Sequence, residues 1–197
     1  VGLDIESLYT SLPHSNTLEV IETVLFTDTW DYCTPRALVL ECASLAFTRI
    51  FFRFEDTMYL QVHGTSMGST FVPNIAGLYA HHLGASKILV DTNPHRSRIR
   101  LWKRYIDDVL VIWRGSESEA LMFIDWLNEQ DTFLKFTSSI SRNLLVFLDL
   151  NIYVTDTGIK TDTHTKPTAR NCLLDFNSFH PRHLRENLPF SQFLRIR

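Results

Sequence analysis

RYIDDVLVIW, residues 104–113, sets two adjacent aspartates inside a stretch otherwise built for burial. Tyr105 and Ile106 precede the pair and Val109 to Trp113 follow it, so the pattern predicts two strands meeting in a turn at Asp107 and Asp108. Asp is an ordinary turn residue, because it tolerates sharp bends and accepts hydrogen bonds from free backbone N–H groups. Turn chemistry is one reading of the pair. The other starts from electrostatics: two carboxylates at the end of buried strands repel each other and lose solvation, so one takes a proton or a cation compensates both. Mg2+ is an economical partner, since it is held by one or two carboxylates together with substrate phosphates.

A further carboxylate stands in a parallel setting. In VGLDIESLYTSLP, residues 1–13, Asp4 interrupts an apolar strand end just before a turn, 103 residues ahead of Asp107. Two strands ending in Asp and lying side by side would hold two cations about 3.5–4 Å apart, the geometry that activates an attacking hydroxyl and stabilises a leaving phosphate.

The rest of the chain is compatible with such a site. Its 197 residues, 45% apolar with 14 Phe, can supply the core of one substantial domain. Cys33, Cys42 and Cys172 form no C-x-x-C pair and, with no secretory-type leader, fit a reduced interior as core filler better than a disulfide framework. No apolar run approaches the roughly 18 residues of a membrane span, so no membrane partner is expected. The net charge of -3 is unevenly spread: residues 166–197 carry six Lys and Arg against two Asp and Glu, which leaves residues 1–165 at -7. A second basic patch, Arg96, Arg98, Arg100, Lys103 and Arg104, lies just ahead of the paired aspartates. In an extended segment Arg96, Arg98 and Arg100 share one face, which suits a run of phosphates and equally suits a charged, solvated edge strand.

Periodicity predicts mixed helix and strand. Val1–Ile5 reads as a buried strand end. Ser15 or Asn16 caps a helix bearing Leu18, Ile21, Val24 and Leu25, and Thr34-Pro35 opens another with Leu38, Cys42 and Leu45 in register. FFRFEDTMYLQV is a hairpin about Glu55-Asp56-Thr57, and Pro73 to about Leu89 a buried helix. Ser116 and Glu119 form a capping box for a helix with Leu121, Ile124 and Leu127 or Asn128 on successive turns. FLKFTSSIS then turns back into LLVFLDLNIYV as a further hairpin, with a third short strand around Gly158–Thr163. No internal repeat, low-complexity tract or long linker intervenes.

LDIESLYTSLP, GTSMGSTFVPNIAGLYA and RYIDDVLVIW, in that order and spacing, resemble the A, B and C motifs of the reverse-transcriptase palm. With FLDLNI at 147–152 and the segment KPTARNCLLDFNSFHPRHLRENLPFSQFLRIR, the wording is similar to Penelope-like retroelement reverse transcriptases across essentially the whole chain. The resemblance implies an α+β palm, an antiparallel sheet backed by helices, over residues 1–165, and a basic C-terminal segment over 166–197 that starts a thumb or a small helical module. It also implies a fragment: the fingers, with the basic residues that hold the triphosphate, would precede Val1. Most of the thumb, and any GIY-YIG endonuclease domain, would follow Arg197.

Residue by residue, the resemblance implies that Asp4, Asp107 and Asp108 are catalytic and that Asp4, the Ile5 carbonyl, Asp107 and Asp108 ligate two Mg2+ ions, for which Mn2+ could substitute. Ser7, Leu8 and Tyr9 would lie along the incoming dNTP, with Tyr9 as the steric gate under its sugar; a Tyr packed in the core with its hydroxyl bonded is the alternative. Met67 and Gly68 would contact the nascent base pair, although a hairpin-to-helix turn uses glycine too. Lys135 would be a general acid, or a solvated strand Lys. Phe147, Leu148 and Asp149 would grip the primer terminus, or alternate as ordinary core. Two positions depart from the family pattern, Val72 before Pro73 and Gly77 after Ala76.

The function so implied is RNA-directed DNA synthesis for a retrotransposable element, adding dNTPs to a primer on an RNA or DNA template, in an intracellular and nuclear setting. A catalytically inactive, nucleic-acid-binding remnant of such an element is the alternative. His164, Cys172, His180 and His183 lack the spacing of common zinc modules, and His81-His82 has no i, i+4 partner. No G-x-x-x-x-G-K-[ST] or G-x-S-x-G motif occurs.

Overall fold

The apolar–polar alternation of GLDI puts Leu3 and Ile5 on the buried face of a strand and Asp4 on the other. The computed structural model describes residues 1–25, 35–66, 68–166 and 174–196. Within Val1–Thr163, the first of two units, β1 (Gly2–Ile5) leads into α1 (Leu8–Ser11), α2 (His14–Leu25) and α3 (Arg36–Thr48). The hairpin β2 (Phe51–Phe54) and β3 (Thr57–Leu60) follows, then α4 (Val72–Leu83), continued by a π-helical turn over Gly84–Ile88. Next come β4 (Ile99–Tyr105), β5 (Asp108–Trp113), α5 (Glu117–Gln130) and β6 (Phe136–Ser139). The strands β7 (Leu144–Phe147), β8 (Leu150–Thr155) and β9 (Gly158–Thr163) close the unit.

The main sheet is antiparallel in the order β4-β5-β1-β6. Leu3, Ile5, Val109, Val111 and Phe136 pack from it against Ala76, Tyr79 and Leu83 of α4 and Phe123, Ile124 and Leu127 of α5. Burial of each Leu, Ile, Val or Phe among them stabilises the fold by about 1.5–3 kcal/mol. Asp131, at the end of α5, accepts the Tyr79 hydroxyl (2.9 Å) and the Phe133 and Leu134 N–H groups, tying the two helices together behind the sheet.

Local chemistry explains where the elements differ from the sequence expectations. Helix α2 starts at His14, so Ser15 and Asn16 lie in its first turn instead of capping it; the Pro13 carbonyl accepts both the Thr17 N–H (3.0 Å) and the Thr17 hydroxyl (2.6 Å). On α3, Leu38, Cys42 and Leu45 are exposed, because Phe47 and Ala43 turn inward against Ile21 and Ile75. Cys42 is therefore not core filler, and Cys33 and Cys172 lie outside the described residues. On α5 the capping box forms as expected, but Leu121 is exposed and Ala120 and Phe123 take the buried stripe with Ile124 and Leu127.

The largest correction concerns β6. It does not turn back onto β7 but pairs with β1, because the Asn128 amide accepts the Phe136 N–H (2.7 Å) and donates to the Phe136 carbonyl (3.1 Å), presenting the segment to the edge of β1. LLVF and LNIYVT instead form their own hairpin about Leu148-Asp149, extended by β9.

Three hairpins share one turn design. Glu55-Asp56, Ile106-Asp107 and Leu148-Asp149 each form a two-residue loop whose first residue has φ near +53° and whose second is Asp. Positive φ at the first central position is the mark of a type II′ turn, a position that favours Gly. A β-branched Ile there is strained.

The unit His164–Arg197 contains α6 (Arg182–Ile196), which carries Pro189 inside it. Arg182 pairs with Glu186 (2.6 Å), and the Arg185 guanidinium lies over the Phe176 ring and donates to the Phe176 carbonyl. No helix among the described residues is long and apolar enough to cross a membrane.

Two substitutions test this account of the backbone. Gly64 has φ +67°, and an added Cβ would overlap the Thr10 backbone, so Gly64→Ala is expected to lower unfolding free energy by about 1–3 kcal/mol in a urea titration. Ile106 is 38% exposed and gives little packing. Ile106→Gly removes a strain of about 1–2 kcal/mol at an entropic cost of about 0.5–1 kcal/mol, so the same titration should register unchanged or increased stability.

Candidate active site

The middle position of β1 in the sheet brings the aspartates together. Asp4 faces Asp108 on β5 and Thr137 on β6 in the cross-strand register, so the three positions line one face, opposite the helices. Asp107 occupies the turn tip beside them, and its carbonyl accepts the Ile5 N–H (3.0 Å). On the other edge the Glu6 N–H is held by the Lys135 carbonyl (2.8 Å). Asp4 retains an exposed edge, yet partial burial of its carboxyl, then the charge of Asp107, then that of Glu6 push its pKa above the usual carboxylate value of 3.8.

Immediately after this strand the chain bends sharply at Ser7, which has φ 50°. Its carbonyl accepts the N–H groups of Thr10 and Ser11 and the Thr10 hydroxyl, forming the short helix α1. Leu8 is buried, and Tyr9 is half-buried and packs against the main core. The Tyr9 carbonyl accepts both the N–H (2.8 Å) and the hydroxyl (2.9 Å) of the buried Thr65. Gly64 donates to the Leu12 carbonyl (3.1 Å), and its own carbonyl is 2.7 Å from the His14 ring nitrogen Nε2. The close backbone approach at Gly64 is therefore to the segment following Asp4. At Gly68 an added Cβ would meet only open space, and Met67 lies outside the described residues.

A cavity of about 210 Å³ opens beside the aspartates, lined by Gly2, Leu3, Asp4, Asp108, Thr137, Ser138, Ser139, Val146 and Phe147. Phe147 thus shares a cavity with Asp4 and Asp108, while Leu148 and Asp149 form the next hairpin turn. Lys135 does not join them: its ammonium donates to the Asn128 carbonyl (2.8 Å).

The basic patch divides. Arg96–Arg98 is a turn of 3-10 helix, so Arg96, Arg98 and Arg100 do not share the face of an extended strand. Arg104 donates to the Ile106 carbonyl (2.7 Å) and the Gly77 carbonyl (2.8 Å), bracing the aspartate turn against α4, while Lys103 is exposed on β4.

Thr65, Asn128 and the bracing role of Arg104 were missed by sequence reasoning. A buried Thr next to a glycine and an Asn near a helix end have many uses, and only the pairing of distant segments selects one.

The donor set is chemically suited to a hard cation, and Asp4 carries the electrostatic cost of an uncompensated neighbour. Among the described residues, however, no group of three or more His, Cys, Asp or Glu side chains converges as a metal cage. A Mg2+ site built on one or two carboxylates takes its other ligands from water and substrate phosphates.

No protein-family model matches the sequence, and no curated protein matches it. Among solved structures, the fold is similar to that of apo telomerase from Candida tropicalis truncated from its C-terminal domain, with a TM-score of 0.57 and 14% identity. The match covers 82% of this chain and 35% of that one. The likeness is one of fold: the chain is α+β, with antiparallel strands and helices arranged similarly to those of that structure.

Proposed function

We propose that residues 1–165 are the palm of a Penelope-like reverse transcriptase, with residues 166–197 beginning its thumb or a small helical module. The reaction is extension of a primer 3′-OH by a dNTP on an RNA or DNA template, in the nucleus. The observation that carries this reading is the register of β1 and β5, which sets Asp4 opposite Asp108 and beside Asp107 on a solvent-facing sheet surface. Partial burial, then the charges of Asp107 and Glu6, raise the pKa of Asp4, and substrate-borne cations relieve such crowding.

In this reading Asp4, the Ile5 carbonyl, Asp107 and Asp108 would hold two Mg2+ ions, or Mn2+, which supply charge neutralisation at the transferring phosphate. The protein's own contribution is positional, since phosphoryl transfer asks mainly for alignment and electrostatic stabilisation. The Ile5–Asp107 backbone bond fixes the carboxylates relative to each other, and the Arg104 brace holds the turn from behind. Ser7, Leu8 and Tyr9 would border the nucleotide, and Met67 and Gly68 would contact the nascent base pair. Phe147, at the mouth of the shared cavity, would meet the primer terminus.

The held ammonium of Lys135 favours a second reading, in which the chain binds nucleic acid without turnover. Primer extension on poly(rA)/oligo(dT) with Mg2+ or Mn2+ separates the two. Extension by the full-length protein is expected to fall by at least about 10³-fold in Asp107→Asn; extension that does not depend on this carboxylate would sink the enzyme reading.

The raised pKa of Asp4 gives a separate check. The folded state holds this proton more tightly than the unfolded chain, so it binds more protons above pH 3.8, and Asp4 subtracts stability as pH rises through its folded-state pKa. Asp4→Asn should therefore melt at a higher temperature than the wild type at pH 7, and the difference should shrink as pH falls toward 3.8. Equal melting temperatures at pH 7 would contradict the crowding of Asp4.

A further inference from the structure

At the opposite end of β4 and β5 from the aspartates lies a concavity of about 1100 Å³, lined by Asp91, Asn93, Pro94, Arg96, Ser97, Arg98, Ile99, Arg100, Arg114 and Gly115. Four arginines and one carboxylate line it. Arg98 is paired with Glu119 (2.6 Å), but among the described residues no ion pair engages Arg96, Arg100 or Arg114. The floor is fixed. Asn93, 3% exposed, donates to the Ile88 carbonyl (2.7 Å) and accepts the His95 N–H (2.8 Å), while the Arg114 N–H is held by the Arg98 carbonyl (2.9 Å). Arg96 is steadied at the rim by the Leu89 and Ile99 carbonyls (both 3.3 Å). At Gly115 the buried Trp113 indole N–H has no acceptor, and an added Cβ would come within 2.9 Å of it. Apart from Asp91, the charged side chains lining the concavity are cations, and the Trp113 indole N–H adds a donor.

We propose that this concavity is a second nucleic-acid site, which takes the phosphodiester backbone of a strand whose other end lies at the aspartates. It rests on the nucleic-acid reading above and adds an anchor to it. The ladder between the sites runs from Ile99↔Trp113 to Tyr105↔Asp108, about 20 Å at about 3.3 Å per residue. That is about six nucleotide steps at about 3.4 Å each. Arginine suits the task because its planar fork binds phosphate oxygens in pairs, and a wide mouth with spread cations suits a chain of phosphates better than one compact anion.

The test is fluorescence anisotropy of the whole chain with a labelled RNA/DNA hybrid of twenty base pairs, from 50 to 200 mM salt. Arg96→Ser/Arg100→Ser/Arg114→Ser is expected to flatten the log–log salt slope for the twenty-mer by about 2–3, at about 0.9 per phosphate lost. Should the triple variant lose its cooperative melt, Arg114→Ser alone should flatten the slope by about one. An unchanged slope in a folded variant overturns the second site; carboxylate-dependent primer extension in the same protein would then leave the proposed function standing. Tripolyphosphate or polyglutamate displacing the twenty-mer at equal charge concentration overturns the assignment to a strand backbone. Absence of any binding by the wild type, together with absence of extension, removes both readings.

Discussion

The hydrogen bond from the Ile5 N–H to the Asp107 carbonyl joins residues 102 apart in the chain, and the arrangement of the carboxylates follows from it. It continues the β1–β5 ladder to the very tip of the turn, so the turn cannot swing independently of the strand that carries Asp4. On the other edge, Asn128 delivers β6 to β1, which turns a short strand into the interior of a sheet. Leu3 and Ile5 are anchored in the helix-backed core by the same four residues whose outward member is acidic. Burial on one face thus sets the position of charge on the other.

The two explanations of the Asp107-Asp108 pair are not exclusive. Asp56 and Asp149 occupy the same turn position as Asp107 in hairpins elsewhere in the molecule, so turn chemistry is sufficient reason for an Asp there. What sets the 106–107 turn apart is its surroundings: it abuts a second carboxylate-bearing strand, and whereas Arg53 braces the Glu55 carbonyl locally, Arg104 ties the Ile106 carbonyl to Gly77 of α4. Asp108 has no counterpart in that comparison either, because Thr57 and Leu150 stand at its position in the other two hairpins.

Much of this was legible in the sequence, and the failures have common physics. β1, the 104–113 hairpin, the FFRFEDTMYL hairpin and the capping box of α5 could be read because each is specified by neighbours within a few residues. The face of α3 could not be, since Leu38, Cys42 and Leu45 and the rival stripe of Ala43 and Phe47 both satisfy helical spacing, and the partner helices choose between them. The pairing of β6 was misjudged because strand partners over such distances are selected by tertiary contacts, in this case a single amide side chain. Within the site, the approach of Asp4 to the 107–108 pair followed from the pattern, but the register sets Asp108, the first residue of β5, opposite Asp4 and leaves Asp107 in the turn. The docking of Gly64 and Thr65 onto the segment after Asp4 did not follow from it, since its contacts are to backbone carbonyls and leave no trace in residue identity.

The strand order β4-β5-β1-β6 also imposes a schedule on the nascent chain. β1 precedes both of its sheet partners, β5 and β6, so its apolar residues wait while about a hundred or more others are synthesised. At about 5–20 residues per second this is a delay of about 5–20 s. Contacts of such sequence separation form late, because loop closure costs entropy before it returns any pairing. The helices and the local hairpins can form during the wait, whereas the carboxylates meet only once the sheet closes.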